Sequence, residues 1–142
     1  MKEAKTFHSY SIKDTENIAK LISKKLISNS CLYISGEMGT GKTCLSKFIA
    51  SNFDIKDLSS STYSKVSLSK GLFNVVHCDF YHINPTPTFI ETEIIPNLIS
   101  PWLFIVEWPK AIYEIDYNQL IHIKIENTGK FSRKISLSCF MK

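Results

Sequence analysis

The chain has 142 residues, 44% of them hydrophobic and 21% charged, and a formal net charge of +4. This length makes one compact domain over residues 1–142, and the composition excludes a mainly disordered chain. No apolar run approaches the roughly 20 residues of a bilayer-crossing helix, and the first residues carry no apolar stretch of the signal-peptide kind, so the expected location is cytoplasmic.

In chain order, residues 7–10 read as a short first strand. Asp14 is a candidate helix N-cap, and Ile18, Leu21, Ile22 and Leu26 then recur at helical spacing to about residue 28. Cys31-Leu32-Tyr33-Ile34-Ser35 is a buried-strand run, residues 36–43 a glycine-dense turn, and residues 42–52 a second helix with Leu45, Phe48 and Ile49 on one face. Residues 54–62 are a serine-rich loop. Residues 63–68 and 72–78 flank Ser69-Lys70-Gly71, a hairpin signal. Pro85 and Pro87 break regular structure, and residues 91–98 read as a short helix disturbed by Pro96.

Residues 102–106 form the most apolar strand, ending at Glu107-Trp108-Pro109. The last two strands, 120–126 and 133–140, alternate cleanly. They place Ile121, Ile123 and Ile125 against Ile135, Leu137 and Cys139. A parallel βα core combined with hairpins predicts an α/β sandwich with a mixed sheet.

Three of the five glycines lie in Gly36-Glu37-Met38-Gly39-Thr40-Gly41-Lys42-Thr43, which fits G-x-x-x-x-G-K-[ST] between a strand and a helix. Glycines let successive backbone N–H groups turn inward around phosphate, and the helix that follows aims its positive end at the same oxygens. Lys42 is expected on the β and γ phosphates and Thr43 on Mg²⁺. The motif predicts nucleotide binding and leaves its use open.

Magnesium needs carboxylates at neighbouring strand ends. Asp79 and Glu107 each end an apolar strand, and ligands of such sheets bind outside the carboxyl ends. One acid would hold the ion, directly or through water, and the other could orient the attacking water. His77 reads as a hydrogen-bonded strand histidine. Tyr81 and Trp108 are placed to stack on a base or dock a partner.

Cys31, Cys44, Cys78 and Cys139 form no CxxC pair and read as reduced thiols. His77-Cys78 with His82 comes nearest to a zinc spacing. There is no N-K-x-D motif, no D-x-x-G switch and no LSGGQ-like stretch, which excludes Ras-type GTPases and ABC ATPases. Arg133 is the single arginine. Kinases that clamp two phosphorylated substrates use several, and an arginine finger supplies on the order of 10³–10⁵ in rate. Slow hydrolysis without a partner is therefore expected. A free-standing P-loop phosphotransferase acting on a small hydroxyl compound is the alternative.

Four ordered motifs carry a family resemblance: Gly36 to Thr43; Ser60-Ser61-Thr62-Tyr63; His77-Cys78-Asp79-Phe80-Tyr81-His82; and Val106-Glu107-Trp108-Pro109. Together they resemble the TsaE (YjeE) family, small P-loop ATPases of bacterial tRNA threonylcarbamoyladenosine synthesis. The resemblance implies a P-loop NTPase-like three-layer sandwich that binds ATP or ADP with Mg²⁺. It implies nucleotide contacts from Gly36, Glu37, Met38, Gly39, Thr40, Gly41, Lys42, Thr43 and Cys44, and from Asp14, Thr15, Trp108 and Arg133. Catalysis is assigned to Lys42, Asp79 and Glu107, and the metal to Thr43, Asp79 and Glu107. Ser60 to Tyr63 is implied as a switch-like loop near the γ-phosphate. The implied partners are TsaB- and TsaD-like proteins, with tRNA contacted weakly or indirectly and neither DNA nor membrane among them. The family's motif proline and arginine are here Ser61 and His82, and residues 86–98 diverge from its pattern.

Overall fold

The computed structural model describes residues 2–58, 66–110 and 113–142. In chain order the elements are β1 (Lys2–Ser9), α1 (Ile12–Lys25), β2 (Ser30–Gly36), α2 (Lys42–Ser51), β3 (Val66–Lys70), β4 (Asn74–Asp79), α3 (Pro87–Phe89), β5 (Trp102–Glu107), β6 (Gln119–Asn127) and β7 (Arg133–Met141). Seven strands form one sheet in the order β1-β7-β6-β2-β5-β4-β3. Strand β2 runs parallel to both β5 and β6, and β4 parallel to β5. The pairs β1–β7, β6–β7 and β3–β4 are antiparallel. This is the mixed sheet that the alternation of apolar runs and hairpin signals predicts.

Burial explains the two strand types. All six residues of β5 are buried, because helical segments cover both faces of the parallel centre. Strand β6 instead alternates, with Ile121, Ile123 and Ile125 inward and His122 and Lys124 outward. One core lies between the sheet and α1 and α2, around Leu32, Ile34, Leu45, Ile49 and Ile105. The second lies on the opposite face, around Tyr33, Phe104, Phe80, Ile90 and Ile94. The expected hairpin register holds: Ile121, Ile123 and Ile125 pair with Cys139, Leu137 and Ile135.

Some boundaries differ for local reasons. The cap of α1 is Ser11, whose hydroxyl accepts the Asp14 N–H at 3.0 Å, while the Asp14 carboxylate accepts the Tyr10 N–H at 2.9 Å. Asp14 is thus the third helical residue of a reciprocal cap, a contact of about 1 kcal/mol. The helix stops at Lys25, with Leu26 extended. Leu21, expected on its inner face, is exposed, and Ala19 is buried instead. Strand β1 extends back to Lys2 through its pairing with β7, a partner too distant in sequence for local pattern to show. The helix expected at 91–98 begins at Pro87 and continues as a π-helical turn (Ile90–Ile94) and a 3₁₀ turn (Ile95–Asn97), where Pro96 supplies no N–H. Strand β4 starts two residues later than expected, and residues 63–65, expected to open β3, lie outside the described residues. Residues 60–63, read as a switch-like loop, lie outside the described residues.

Candidate nucleotide and metal site

The turn after β2 is shaped by its glycines. A Cβ on Gly36 would lie 2.4 Å from the Ile125 carbonyl oxygen, so only glycine lets β2 pass so close to β6. Gly41, at φ 97°, is the N-cap of α2, and its left-handed backbone turns the loop into the helix. Thr40 donates its hydroxyl hydrogen to the Glu37 carbonyl at 2.9 Å, bracing the loop from within.

Lys42 is buried, and its Nζ donates to the Gly36 and Glu37 carbonyls, each at 2.8 Å. The same ammonium lies 4.2 Å from the centre of the Trp108 ring. Burial pushes the Lys42 pKa below its ordinary value, against the opposing pull of Glu107, Asp79 and Glu37. Trp108 reaches this position because it adopts a left-handed backbone, φ 58°, directly after β5, while its N–H donates to the Ile34 carbonyl at 3.1 Å. Such a conformation in a bulky residue costs on the order of 1–3 kcal/mol.

Asp79 and Glu107 are register partners at the C-terminal ends of adjacent parallel strands, so both acids stand at one end of the sheet beside the loop. Glu107 is only 2% exposed. Its Oε1 accepts the Thr43 hydroxyl at 2.7 Å, and its Oε2 lies 2.6 Å from His77 Nε2. Burial alone would raise the Glu107 pKa, but the His77 and Thr43 hydrogen bonds and the His77 charge outweigh it and hold the carboxyl below its ordinary value. Asp79 is half-buried, and its Oδ1 accepts the Tyr81 N–H at 2.9 Å.

A cavity lies on each side of the loop. The first, about 430 Å³, is lined by Lys42, Thr43, Asp79, Tyr81, Glu107 and Trp108, among others including Met38 and His82. The second, about 330 Å³, is lined by Ser9, Ile12, Thr15, Thr40, Phe131 and Arg133. Gly39, Gly41 and Cys44 border both. Arg133 is anchored by its own bonds, Nε donating to the Thr40 carbonyl at 3.1 Å and Nη1 to that of Ser132 at 3.1 Å.

The structure therefore gathers the glycine loop, Lys42, Thr43, Asp79, Glu107 and Trp108 on one side and Thr15 and Arg133 on the other. The Asp14 carboxylate is turned to the α1 cap and does not line either cavity. Glu37 contributes its carbonyl, to Lys42 and Thr40. The sequence carries no local signal for the His77 bond to Glu107; the nearest hint is that His77 and Asp79 sit two apart on one strand and so share a face. Ile12 and Phe131 likewise have no pattern that would place them beside the loop.

The donor set fits magnesium. A hydroxyl and two carboxylates are hard oxygen ligands, and such sites are completed by phosphate and water rather than by a protein cage. Among the described residues no three His, Cys, Asp or Glu form a metal-binding group. The zinc-like spacing around Cys78 leads nowhere, since burial pushes the Cys31 and Cys78 thiols up to about 12 and His77 is bonded to Glu107.

The family model described as threonylcarbamoyl adenosine biosynthesis protein TsaE matches residues 9–135. The chain belongs to the TsaE family. It is 29% identical over 128 residues to the tRNA threonylcarbamoyladenosine biosynthesis protein TsaE of Rickettsia prowazekii, covering 88% of each chain. It is 30% identical over 103 residues to that of Borreliella burgdorferi, covering 70% of this chain and 74% of the other. The crystal structure of Bacillus subtilis YdiB superposes with a TM-score of 0.72 at 21% identity, over 97% of this chain and 86% of that one, which shows the shared fold. The family's matched span contains the glycine loop, both strand-end acids and Arg133.

Proposed function

We propose that this TsaE-family chain binds ATP with Mg²⁺ and hydrolyses it slowly, as the nucleotide-driven component of the tRNA threonylcarbamoyladenosine machinery. The observation that carries this reading is the Thr43–Glu107 hydrogen bond at the start of α2, with Asp79 paired to Glu107 in register. A glycine loop alone binds phosphate. A hydroxyl and two acids gathered beside it suit a nucleotide that arrives with a divalent ion.

The residues divide the work. The loop N–H groups and the α2 N-terminus receive the β and γ phosphates. Lys42 has three N–H donors; its bonds to two loop carbonyls hold it beside the cavity, and turning to phosphate exchanges neutral acceptors for charged ones. Thr43 and the two strand-end acids, Asp79 toward the cavity and Glu107 behind the Thr43 hydroxyl, would form the Mg²⁺ site, and the ion when bound neutralises phosphate charge. Asp79, with one oxygen bonded to the Tyr81 N–H and the other unbonded among the described residues, would be the carboxylate to orient a water toward the γ-phosphorus. Attack breaks the bond to the bridging oxygen and releases ADP and phosphate, the water's proton passing to phosphate or solvent.

The base fits the second cavity. Ile12 and Phe131 are each 73% exposed and flank it, with Thr15 and Arg133 beside them. Exposed apolar side chains at the mouth of a cavity suit a flat ring that covers them.

Arg133, the single arginine, lines the second cavity and is tied to the loop backbone, on the far side from Asp79 and Glu107. No other guanidinium exists in the chain to stabilise transferring phosphoryl charge, so a partner must complete the site or reposition its parts. TsaB- and TsaD-like proteins are the proposed partners, with hydrolysis resetting their complex between turnovers. No helix among the described residues is long and apolar enough to cross a membrane.

The test is phosphate release measured alone, with each partner, and with both. Release that rises only with both supports the reading. Transfer of phosphate to an added small hydroxyl compound would favour a free-standing phosphotransferase instead.

A further inference from the structure

His77 has no task in the function proposed above, yet its side chain is buried and closes on Glu107 at 2.6 Å. An ionised carboxylate only accepts, so Nε2 carries the hydrogen and donates it. The other Glu107 oxygen accepts the single proton of the Thr43 hydroxyl at 2.7 Å. Both oxygens of this acid therefore have protein donors. With its hydrogen committed to Glu107, Thr43 keeps its lone pairs for the cavity that it lines. Asp79 differs: Oδ1 accepts the Tyr81 N–H, and Oδ2 has no protein partner among the described residues.

We infer that His77 is a positioning residue: it locks Glu107 so that this carboxylate orients the Thr43 hydroxyl, and the divalent ion is met by Thr43 and Asp79 rather than by Glu107 itself. This rests on the magnesium–nucleotide reading of the site. The geometry favours it over a purely structural pair. Burying charged partners is a weak source of stability, because desolvation offsets their attraction. Fixing one orientation of an acid behind a metal ligand is what such a bond does well. Strand β4 supplies both parts, since His77 and Asp79 alternate with Cys78, which is buried in the core of the opposite face.

The experiment is a calorimetric titration of ADP, in Mg²⁺ and in EDTA, into the unaltered chain, His77→Leu and His77→Gln. In EDTA all three bind ADP within about twofold. In Mg²⁺ the leucine variant loses roughly 10–100-fold of the gain the ion gives, while the glutamine variant, which keeps an N–H donor, recovers most of it. A folded His77→Leu with the full gain overturns the inference.

His77→Leu leaves Glu107 short of a donor, so NMR of the unaltered chain with ¹⁵N-labelled histidine gives a second reading that needs no variant. Nε2 is protonated, slow to exchange, and moves when Mg²⁺ joins the ADP complex. An unprotonated Nε2, or a resonance indifferent to Mg²⁺, overturns the inference on its own. If the unaltered chain binds no ADP, or gains nothing from Mg²⁺, the nucleotide reading itself falls and the inference with it.

Discussion

The two cavities beside the glycine loop are built on opposite principles. On the side of the acids, side chains hold one another: Thr43 is bonded to Glu107, Glu107 to His77, and Trp108 lies against Lys42. Three of those groups, Lys42, His77 and Glu107, are nearly inaccessible. On the side of Arg133, the lining is loose and open, with Ile12 and Phe131 unpacked and Arg133 held only by backbone carbonyls. Chemistry at a phosphorus needs fixed charges, because their value depends on not having to reorganise. Holding a flat apolar ring needs only area and tolerates small errors of position. The contrast predicts large losses from small changes on the first side and small losses from large changes on the second.

The strongest way to break that contrast is at the acids. Asp79→Ala and Glu107→Ala should each lower partner-stimulated phosphate release by about 10²–10³, with circular dichroism of the fold retained. Full activity in both variants would remove the distinction between the cavities. Next comes Lys42→Ala, which deletes the charge-assisted contacts to phosphate and should weaken ATP binding on the order of 100-fold. An affinity left unchanged would mean that the loop does not cradle phosphate.

The other cavity should give a smaller effect. Stacking of a base on an aromatic ring is worth about 1–3 kcal/mol, and the open position of Phe131 puts it at the low end. Phe131→Ala should weaken ADP binding about fivefold to tenfold and leave the binding of inorganic triphosphate unaltered. An equal loss for both ligands would show that the ring supports the loop and not the base.

The smallest effect is with pH. Glu107 is held below its ordinary value of 4.5 in the folded chain. The unfolded chain therefore takes up this proton first as pH falls. The stabilisation is full above about 4.5 and is lost as pH drops through the depressed folded value. Burial also lowers the His122 pKa, so melting temperature should decline slightly between pH 7 and about 5 and fall more steeply below that as Glu107 titrates. Glu107→Gln should fall less steeply in the acid range; equal slopes would place the titration elsewhere.

The parts of the molecule that sequence made legible are those whose signal is local. The glycine loop, the apolar strand ending at Glu107 and the 121/123/125 alternation all sit within ten residues and could be placed with their register. Strand β1 was underestimated because what defines it is pairing with β7, some 130 residues away. By sequence Asp14 is the natural cap, a good capping residue in front of the helical pattern; Ser11 wins because the Asp14 carboxylate reaches back to Tyr10. At the site, the two acids were legible as strand ends. Their bonding was not: whether Glu107 meets a metal, a hydroxyl or an imidazole depends on side-chain geometry across three elements. Ile12 and Phe131 were invisible because one begins a helix and the other sits in a hairpin loop, and only the fold brings both beside Thr40.

The most direct measurement is a crystal structure of the chain grown with ADP and Mg²⁺. The account predicts a diphosphate wrapped by residues 36–43, an ion coordinated by the Thr43 oxygen, and Asp79 reaching that ion directly or through one water while Glu107 keeps its bond to His77. A diphosphate seated outside the loop, an ion that Asp79 does not reach, or Glu107 leaving His77 to coordinate the ion itself would contradict it.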